Sequence, residues 1–227
     1  MLRNLFSGGM DPISVIVYVL SSLTVIFLTL PVHEFAHGWT AVKLGDNTPR
    51  WQGRLTLNPF AHIDYMGALC ILLFGFGWAK PVQVNQRYFR NPKRDMAITA
   101  LAGPVSNLIV ALISLILYNG CYLLVIKGFS NAVFYVSYFF LYIANINVYL
   151  AVFNLIPVPP LDGSRILTAV LPYRYYYALM RYERYIFIGL FALIWLGVFD
   201  RPLAIASGAL MDGIGALARI PFKFFGL

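Results

Sequence analysis

Two histidines and a glutamate near the end of an apolar run form the sequence feature with the clearest chemistry. His33 and His37 are four residues apart, so on an α-helix they lie about 40° apart around the axis and both imidazoles can reach one ion. Glu34 lies between them and can contact a water molecule held by that ion. This H-E-x-x-H spacing is typical of zinc hydrolases, in which the histidines bind the metal and the glutamate acts as general base.

The position of this motif in the chain strengthens the interpretation. The apolar run begins near Ile13, and an ionisable side chain inside a membrane helix costs on the order of 2.5–3.5 kcal/mol. Three such residues within five positions therefore indicate a compensating role. The alternative is a chance match at a helix end, with all three side chains solvated at the membrane interface. A suitable third ligand later in the chain argues against that alternative.

That third ligand is Asp162, which follows a proline-rich break in the chain. An apolar span predicted at residues 131–156 ends in Pro157-Val158-Pro159-Pro160, and these prolines cannot continue the helix. The break falls at the same membrane face as His33 and His37, so Asp162 is predicted to complete a site for one Zn²⁺ per chain. The alternative role for Asp162 is an ordinary N-cap of a helix at residues 163–171.

The composition is that of a polytopic membrane protein. Of 227 residues, 60% are hydrophobic and 11% are charged, and the mean hydropathy is +0.73. The net charge of +8 arises from basic residues in loops between apolar spans. This distribution is typical of membrane topology determinants, and no nucleic-acid partner is predicted. Cys70 and Cys121 stand in apolar surroundings, and no disulfide or redox chemistry is predicted.

We predict an all-α fold with about four to six transmembrane helices, in a single domain over residues 1–227. The catalytic core covers about residues 13–171, and C-terminal helices cover residues 172–227. The spans are expected at residues 13–44, 95–118, 131–156 and 185–199. The segment 203–221 is either a fifth, marginal span or a helix lying against the bundle.

A small β-hairpin or re-entrant element is expected after the first helix. Residues 54–57 and 81–84 alternate like short strands, and the apolar segment between them, 67–78, is too short for a confident span. Gly75 and Gly77 fit a bent backbone that dips into the membrane. Basic residues concentrate between positions 43 and 94, so the positive-inside rule places this block in the cytoplasm and the N-terminus outside.

Two further features carry polar groups whose roles the residues alone leave open. Asn107 offers an amide inside the second span, one turn after Pro104, and an interhelical hydrogen bond is its ordinary use. Residues 172–185 interleave tyrosines with arginines, which predicts an aromatic belt at the cytoplasmic membrane interface. The role of His62 stays open.

Together these stretches resemble one protein family. The chain is similar to the site-2 protease family of intramembrane zinc metalloproteases in three places that follow the same order: His33-Glu34-Phe35-Ala36-His37, Ala102-Gly103-Pro104 with Asn107, and Asn154 to Pro160-Leu161-Asp162-Gly163. Two further stretches resemble the compact bacterial and archaeal branch of that family: Leu57-Asn58-Pro59 with His62, Ile63 and Asp64, and Gly75-Phe76-Gly77-Trp78-Ala79-Lys80-Pro81-Val82.

The resemblance implies that His33, His37 and Asp162 bind zinc, that Glu34 is catalytic, and that Asn107 holds the substrate or polarises its carbonyl. It implies an endopeptidase that cuts transmembrane segments of other proteins within the bilayer, in regulated proteolysis or in clearance of membrane remnants. The expected location is a prokaryotic cell membrane, with the active site toward the cytoplasm. The alternative is a catalytically silent zinc-binding scaffold or chaperone. The oligomeric state is not fixed by the sequence.

Overall fold

The computed structural model describes residues 11–74 and 80–225, and this part of the chain is built from helices joined by loops. In chain order the helices are α1 (Pro12–Lys43), α2 (Thr48–Trp51), α3 (Pro59–His62), α4 (Tyr65–Phe74), α5 (Pro92–Ile126), α6 (Asn131–Asn154), α7 (Asp162–Ile166), α8 (Tyr173–Arg181), α9 (Glu183–Trp195) and α10 (Asp200–Arg219). Four of them, α1, α5, α6 and α10, are long and apolar enough to cross a membrane. The predicted all-α polytopic membrane fold is confirmed.

Helix α1 begins and ends at residues suited to those positions. The Asp11 carboxylate caps its start by accepting a hydrogen bond from the Ser14 backbone N–H at 3.2 Å. Pro12 is the first helical residue, where a missing N–H has no consequence. Beyond Lys43, Gly45 adopts a φ of 114°, which turns the chain away. The 32 residues measure about 48 Å and exceed a hydrocarbon core of about 30 Å.

One π-helical turn, Val25–Thr29, interrupts the α-helical pattern of α1 just before the histidine motif. The Leu30 N–H donates to the Val25 carbonyl, five residues back. Pro31 follows and has no N–H to give to the carbonyl four residues earlier, so the sequence breaks the regular pattern at this point. Turns of this kind occur frequently at functional sites.

The bundle core lies between α1, α5 and α6. Buried apolar side chains of α1 pack against those of α6 in a cluster of Tyr18, Val25, Ile26, Leu30, Ile143, Ile146 and Leu150. A second cluster joins α5 and α6 to α10 and consists of Ala111, Leu115, Ala144, Val148 and Ala218. The three alanines of this cluster are fully buried. Their small size permits close helix approach, which is how helices associate in membranes.

Contacts between helix ends define the arrangement. The Tyr135 hydroxyl at the start of α6 donates to the Asp11 carboxylate at the start of α1, at 3.4 Å. The ring of Phe222 lies 3.8 Å from the position of a Cβ at Gly120, near the end of α5. The start of α1 and the start of α6 therefore share one end of the bundle. The motif half of α1, the start of α5, the end of α6 and α7 lie at the opposite end.

The predicted β-hairpin is wrong. Neither 54–57 nor 81–84 forms a strand in the described part of the chain. Their backbone groups find other partners: the Thr56 carbonyl lies 2.8 Å from His62 Nε2, and the Val82 N–H donates to Glu34. In the described part of the chain the two segments are therefore parts of a loop held by side-chain contacts, and no backbone hydrogen bonds pair them as strands.

The segment between these two loop pieces contains α4, which has ten residues and measures about 15 Å. This is half the thickness of a hydrocarbon core of about 30 Å, so α4 alone does not span it. The predicted bend at Gly75 and Gly77 lies outside the described residues.

The C-terminal part differs from the predicted span positions. The fourth span expected at residues 185–199 corresponds to α9, whose 13 residues measure only about 20 Å. The tail, for which the sequence left two alternatives, contains the candidate span Asp200–Lys223. This segment also packs against α5 and α6 through Ala218.

Candidate metal centre

The two histidines of α1 and the aspartate of α7 meet in the structure. His33 Nε2 and His37 Nε2 are 3.0 Å apart, and Asp162 Oδ2 lies 3.3 Å from the former and 3.1 Å from the latter. Both histidines are buried, and the Asp162 side chain is 13% exposed. Three potential ligand atoms thus converge on one point from residues 125 positions apart in sequence.

The separations of these atoms fit a tetrahedral zinc ion. Zinc ligands about 2.0–2.1 Å from the metal lie about 3.3 Å from one another at tetrahedral angles. The observed distances of 3.0–3.3 Å are close to that value. Two imidazoles and one carboxylate also form a donor set that zinc prefers, and three protein ligands leave a fourth position for water.

Helix α5 orients His37 and leaves no spare room beside the histidines. His37 Nδ1 lies 2.7 Å from the Thr99 carbonyl oxygen, so Nδ1–H donates to it and Nε2 keeps its lone pair for a metal. A Cβ at Gly103 would lie 2.6 Å from His33 Nε2 and closer still to His37 Nε2. Only glycine allows α5 to approach this closely. His33 Nδ1, in contrast, has no hydrogen-bond partner among the described residues.

Asp162 reaches the histidines because the chain folds back after α6. A Cβ at Gly163 would collide with the carbonyl oxygens of Leu155 and Ile156, so glycine permits this tight return. Asp162 is the first residue of α7. The N-cap position is occupied by Leu161, whose side chain makes no capping hydrogen bond. The Asp162 carboxylate contacts the two histidines, and Asp162 is not the N-cap residue of this helix.

Electrostatics favour the ionised form of Asp162. Burial alone would raise the pKa of its carboxyl group, but when His37 is protonated its charge and the hydrogen bonds from His33 and His37 outweigh burial and hold the pKa well below its usual range. The ionised carboxylate is the form that binds a metal ion.

Glu34 is held at the centre by a loop. Its side chain is buried, and Oε2 accepts a hydrogen bond from the Val82 backbone N–H at 2.9 Å. The loop is anchored in turn: the Lys80 N–H donates to the His62 carbonyl at 2.7 Å. His62 is fully buried and lies beside the Thr56 carbonyl, away from the centre. Its contacts give it a structural place in the loop.

Asn107 differs from the other predicted site residues in that it makes no contact with the cavity. It is fully buried one turn beyond Gly103 on α5, and neither atom of its amide has a hydrogen-bond partner among the described residues. It does not line the cavity that contains the metal centre. The contacts of Thr99, Gly103 and Val82 with the centre were not predicted, because two of the three act through backbone atoms.

A cavity of about 600 Å³ opens onto the centre. His33, Glu34, His37 and Asp162 form its polar side, and residues such as Leu150, Met180 and Phe187 form an apolar side. This volume is large enough for a short stretch of peptide. The cavity brings apolar side chains, the predicted general base Glu34 and the three potential metal ligands together.

A His-His-Asp ligand set with an adjacent glutamate is typical of metal-dependent hydrolases, and here both histidines and the glutamate are on a helix able to cross a membrane. Comparisons with known proteins specify the class further. Residues 122–196 match the model of peptidase family M50, a range that includes Asp162 and excludes the H-E-x-x-H motif.

Relatives extend the similarity over most of the chain. The protein named "Putative zinc metalloprotease YwhC" of Bacillus subtilis is 40% identical over 195 residues, which are 85% of this chain and 84% of the relative. "Putative zinc metalloprotease MJ0611" of Methanocaldococcus jannaschii is 30% identical over 68% of the chain and 72% of the relative. "Putative zinc metalloprotease Rip2" of Mycolicibacterium smegmatis is 33% identical over 60% of the chain and 51% of the relative. No solved structure gives a significant match.

The chain belongs to peptidase family M50, the site-2 protease family. It is a zinc metalloprotease and an integral membrane protein. The predicted family, enzyme class and cofactor are confirmed.

Proposed function

We propose that the chain is an intramembrane zinc endopeptidase that hydrolyses peptide bonds in transmembrane segments of other membrane proteins. In this proposal His33, His37 and Asp162 hold the zinc ion and Glu34 is the general base. The observation that carries it is the convergence of the three ligand atoms within 3.0–3.3 Å, two of them on α1, which is long and apolar enough to cross a membrane. Residues 1–227 form one domain in this proposal, since α10 packs into the core of the bundle.

The residues of the chain divide the chemistry among them. A bound zinc ion would supply the Lewis acidity that lowers the pKa of water and polarises the scissile carbonyl. Glu34 takes a proton from the attacking water at its carboxylate and then delivers it to the nitrogen of the leaving amine, so the peptide bond is replaced by a carboxylic acid and an amine. The Val82 N–H keeps the Glu34 carboxylate in position.

Other side chains prepare the site for these steps. The Thr99 carbonyl keeps the proton of His37 on Nδ1. The apolar side of the cavity, which includes Leu150 and Phe187, accommodates an apolar substrate segment and limits access of bulk water. Asn107 is fully buried and does not line the cavity, so a part in holding the substrate would require a movement that exposes its amide to the cavity.

The proposed location is a prokaryotic cell membrane with the centre toward the cytoplasm. The basic residues that predict this topology lie between α1 and α5, at the end of the bundle where the metal centre is. A cysteine introduced at Arg90, which is exposed, should react with an impermeant maleimide in inverted membrane vesicles and not in intact cells. The opposite labelling pattern would contradict the orientation.

The test of the proposed activity is cleavage of single-span model substrates by the purified protein, wild type against Glu34→Gln, with zinc content measured on both. We expect cleavage within the span by wild type alone, at equal zinc content. If wild type binds zinc but cuts only soluble peptides, the intramembrane substrate is wrong. If both proteins bind zinc and neither cuts any substrate, the scaffold alternative replaces the proposal.

A further inference from the structure

Three arginines line the cavity that contains Glu34 and Asp162. They are Arg165, Arg181 and Arg184, which we name the basic rim. The described lining also contains three acidic residues, Glu34, Asp162 and Glu183. Glu34 and Asp162 belong to the metal centre in the proposed function, so three arginines and Glu183 are the charged residues in the rest of the lining.

The basic rim comes from two places in the chain. Arg165 is on α7, three residues after Asp162, so both side chains lie on one face of that short helix. Arg181 ends α8 and Arg184 lies in the first turn of α9, on either side of Tyr182. The fold therefore brings Arg165, which lies near the predicted zinc ligand Asp162, to the same cavity as Arg181 and Arg184 from the tyrosine- and arginine-rich segment 172–185.

A membrane-interface role accounts for the number of arginines but not for this convergence. Residues that satisfy the positive-inside rule need only lie on the correct side of the membrane. Arg174 is an example, since it belongs to the same segment and does not line the cavity. Arg181 and Arg184 are exposed like Arg174, but together with Arg165 they line the cavity that also contains Glu34 and Asp162.

We propose that the basic rim binds a carboxylate side chain of the substrate and so selects segments with Asp or Glu close to the scissile bond. This inference rests on the proposed function. A compact cavity of about 600 Å³ is about 10 Å across. Because an extended chain advances about 3.3–3.6 Å per residue, the carboxylate should lie within about three residues of the cut.

The chemistry of the rim favours a carboxylate. The planar guanidinium group of arginine binds a carboxylate through paired N–H donors. Arg181 and Arg184 are exposed in the chain alone, and a bound substrate segment packed against Met180 and Phe187 would cover them and strengthen such a pair. A lipid phosphate has similar chemistry, but it stays at the headgroup level and its acyl chains are not cut. A peptide carboxylate enters together with the bond to be hydrolysed.

The experiment compares substrates that differ by one charge. A single-span substrate with a mapped cleavage site receives Glu or Gln at each of the three positions on either side of the cut, and kcat/KM is measured for both. We expect wild type to prefer Glu over Gln about fivefold to tenfold at one or two positions. Arg181→Gln/Arg184→Gln should bring that ratio near one, and Arg181→Lys/Arg184→Lys should restore part of it.

Arg174→Gln is the matched control and should keep the wild-type ratio, because Arg174 does not line the cavity. Zinc content and thermal stability of each variant separate a local effect from misfolding. Because the ratio is measured within each variant, a general loss of activity does not imitate the result. Charge reversal, Arg184→Glu, should shift the preference toward a substrate with Lys at the same position.

Three outcomes would overturn the inference. Equal cleavage of Glu and Gln substrates by wild type removes carboxylate selection while leaving the proposed protease function intact. A preference that survives in the double variant places its origin outside the basic rim. If anionic phosphatidylglycerol in nanodiscs raises cleavage of both substrates equally through the same arginines, the rim binds lipid headgroups. Failure of wild type to cut any member of the panel would overturn the proposed function itself.

Discussion

The two walls of the metal centre are built differently. The helix wall, formed by α1 and α5, holds His33 and His37 by close packing against Gly103 and by the Thr99 carbonyl. The loop wall, formed by residues between α1 and α5, holds Glu34 through one hydrogen bond from Val82. Packing fixes the predicted metal ligands, whereas a single backbone contact positions the proton-transfer group. We therefore expect damage to the helix wall to lower zinc affinity and damage to the loop wall to lower the rate alone.

Glu34→Gln should have the largest effect on turnover, because it removes the proposed general base, which lies between both walls. We expect kcat/KM to fall about 10²–10⁴-fold with zinc content unchanged. Peptide cleavage assays combined with metal analysis measure both quantities. Loss of zinc together with activity would show that Glu34 also contributes to zinc binding. The loop wall would then affect zinc affinity as the helix wall does.

Gly103→Ala tests the helix wall directly. The added Cβ must displace the rings of His33 and His37, so we expect zinc affinity to fall about 10–100-fold and activity to fall with it. Competition with a chelator measures the affinity. Gly213→Ala on α10 is the control, since a Cβ there meets nothing within 4 Å, and it should bind zinc as wild type does. Normal zinc affinity in Gly103→Ala would mean that α5 can move away from the centre.

Val82→Pro tests the loop wall. Proline lacks the N–H that bonds Glu34, so we expect kcat to fall about tenfold while zinc content stays at the wild-type level. Val82→Ala keeps the N–H and reports the loss of the buried side chain alone. If Val82→Ala and Val82→Pro lower kcat equally, the hydrogen bond is not what positions Glu34.

His62 should show the smallest effect on chemistry. His62→Ala removes a buried partner of the Thr56 carbonyl, and we expect it to lower the free energy of unfolding by about 1–3 kcal/mol. His62→Gln can place an amide N–H near that carbonyl and should recover part of the loss. In both variants kcat/KM per folded molecule should stay within about twofold, and a larger change would give His62 a role nearer the centre.

The features that the sequence predicted correctly follow from periodicity and composition. A spacing of four places His33 and His37 on one helix face whatever the surrounding fold is. The proline-rich break before Asp162 indicated where α6 ends, and the structure ends that helix at Asn154. Long apolar runs likewise located both ends of α1 and α6 and the start of α5 to within three residues, but α5 continues eight residues beyond the predicted end at 118.

Other features depend on contacts that the residue types do not encode. The loop wall was predicted as a hairpin because residues 54–57 and 81–84 alternate, yet the Val82 N–H bonds a side chain of α1. His37 is oriented by the backbone carbonyl of Thr99, and every residue type has such a carbonyl. The residue type at position 99 therefore does not indicate this contact. Helix α9 is too short to cross a membrane, whereas the segment that begins with α10 is long enough. This distinction depends on where each helix ends, and hydropathy alone does not locate helix ends well.

The π-helical turn at Val25–Thr29 also sets the phase of α1. Each residue of an α-helix rotates the next by about 100°, so one additional residue in that turn shifts everything after it by that angle relative to the membrane-facing half before it. Deleting a single residue there would return the segment to an unbroken α-helix and keep the histidine face toward α5, because the lost residue and the lost π-helical turn compensate. A substitution that closed the turn without a deletion would instead rotate that face by about 100°. The extra residue in the turn therefore fixes which side of the second half of α1 meets α5.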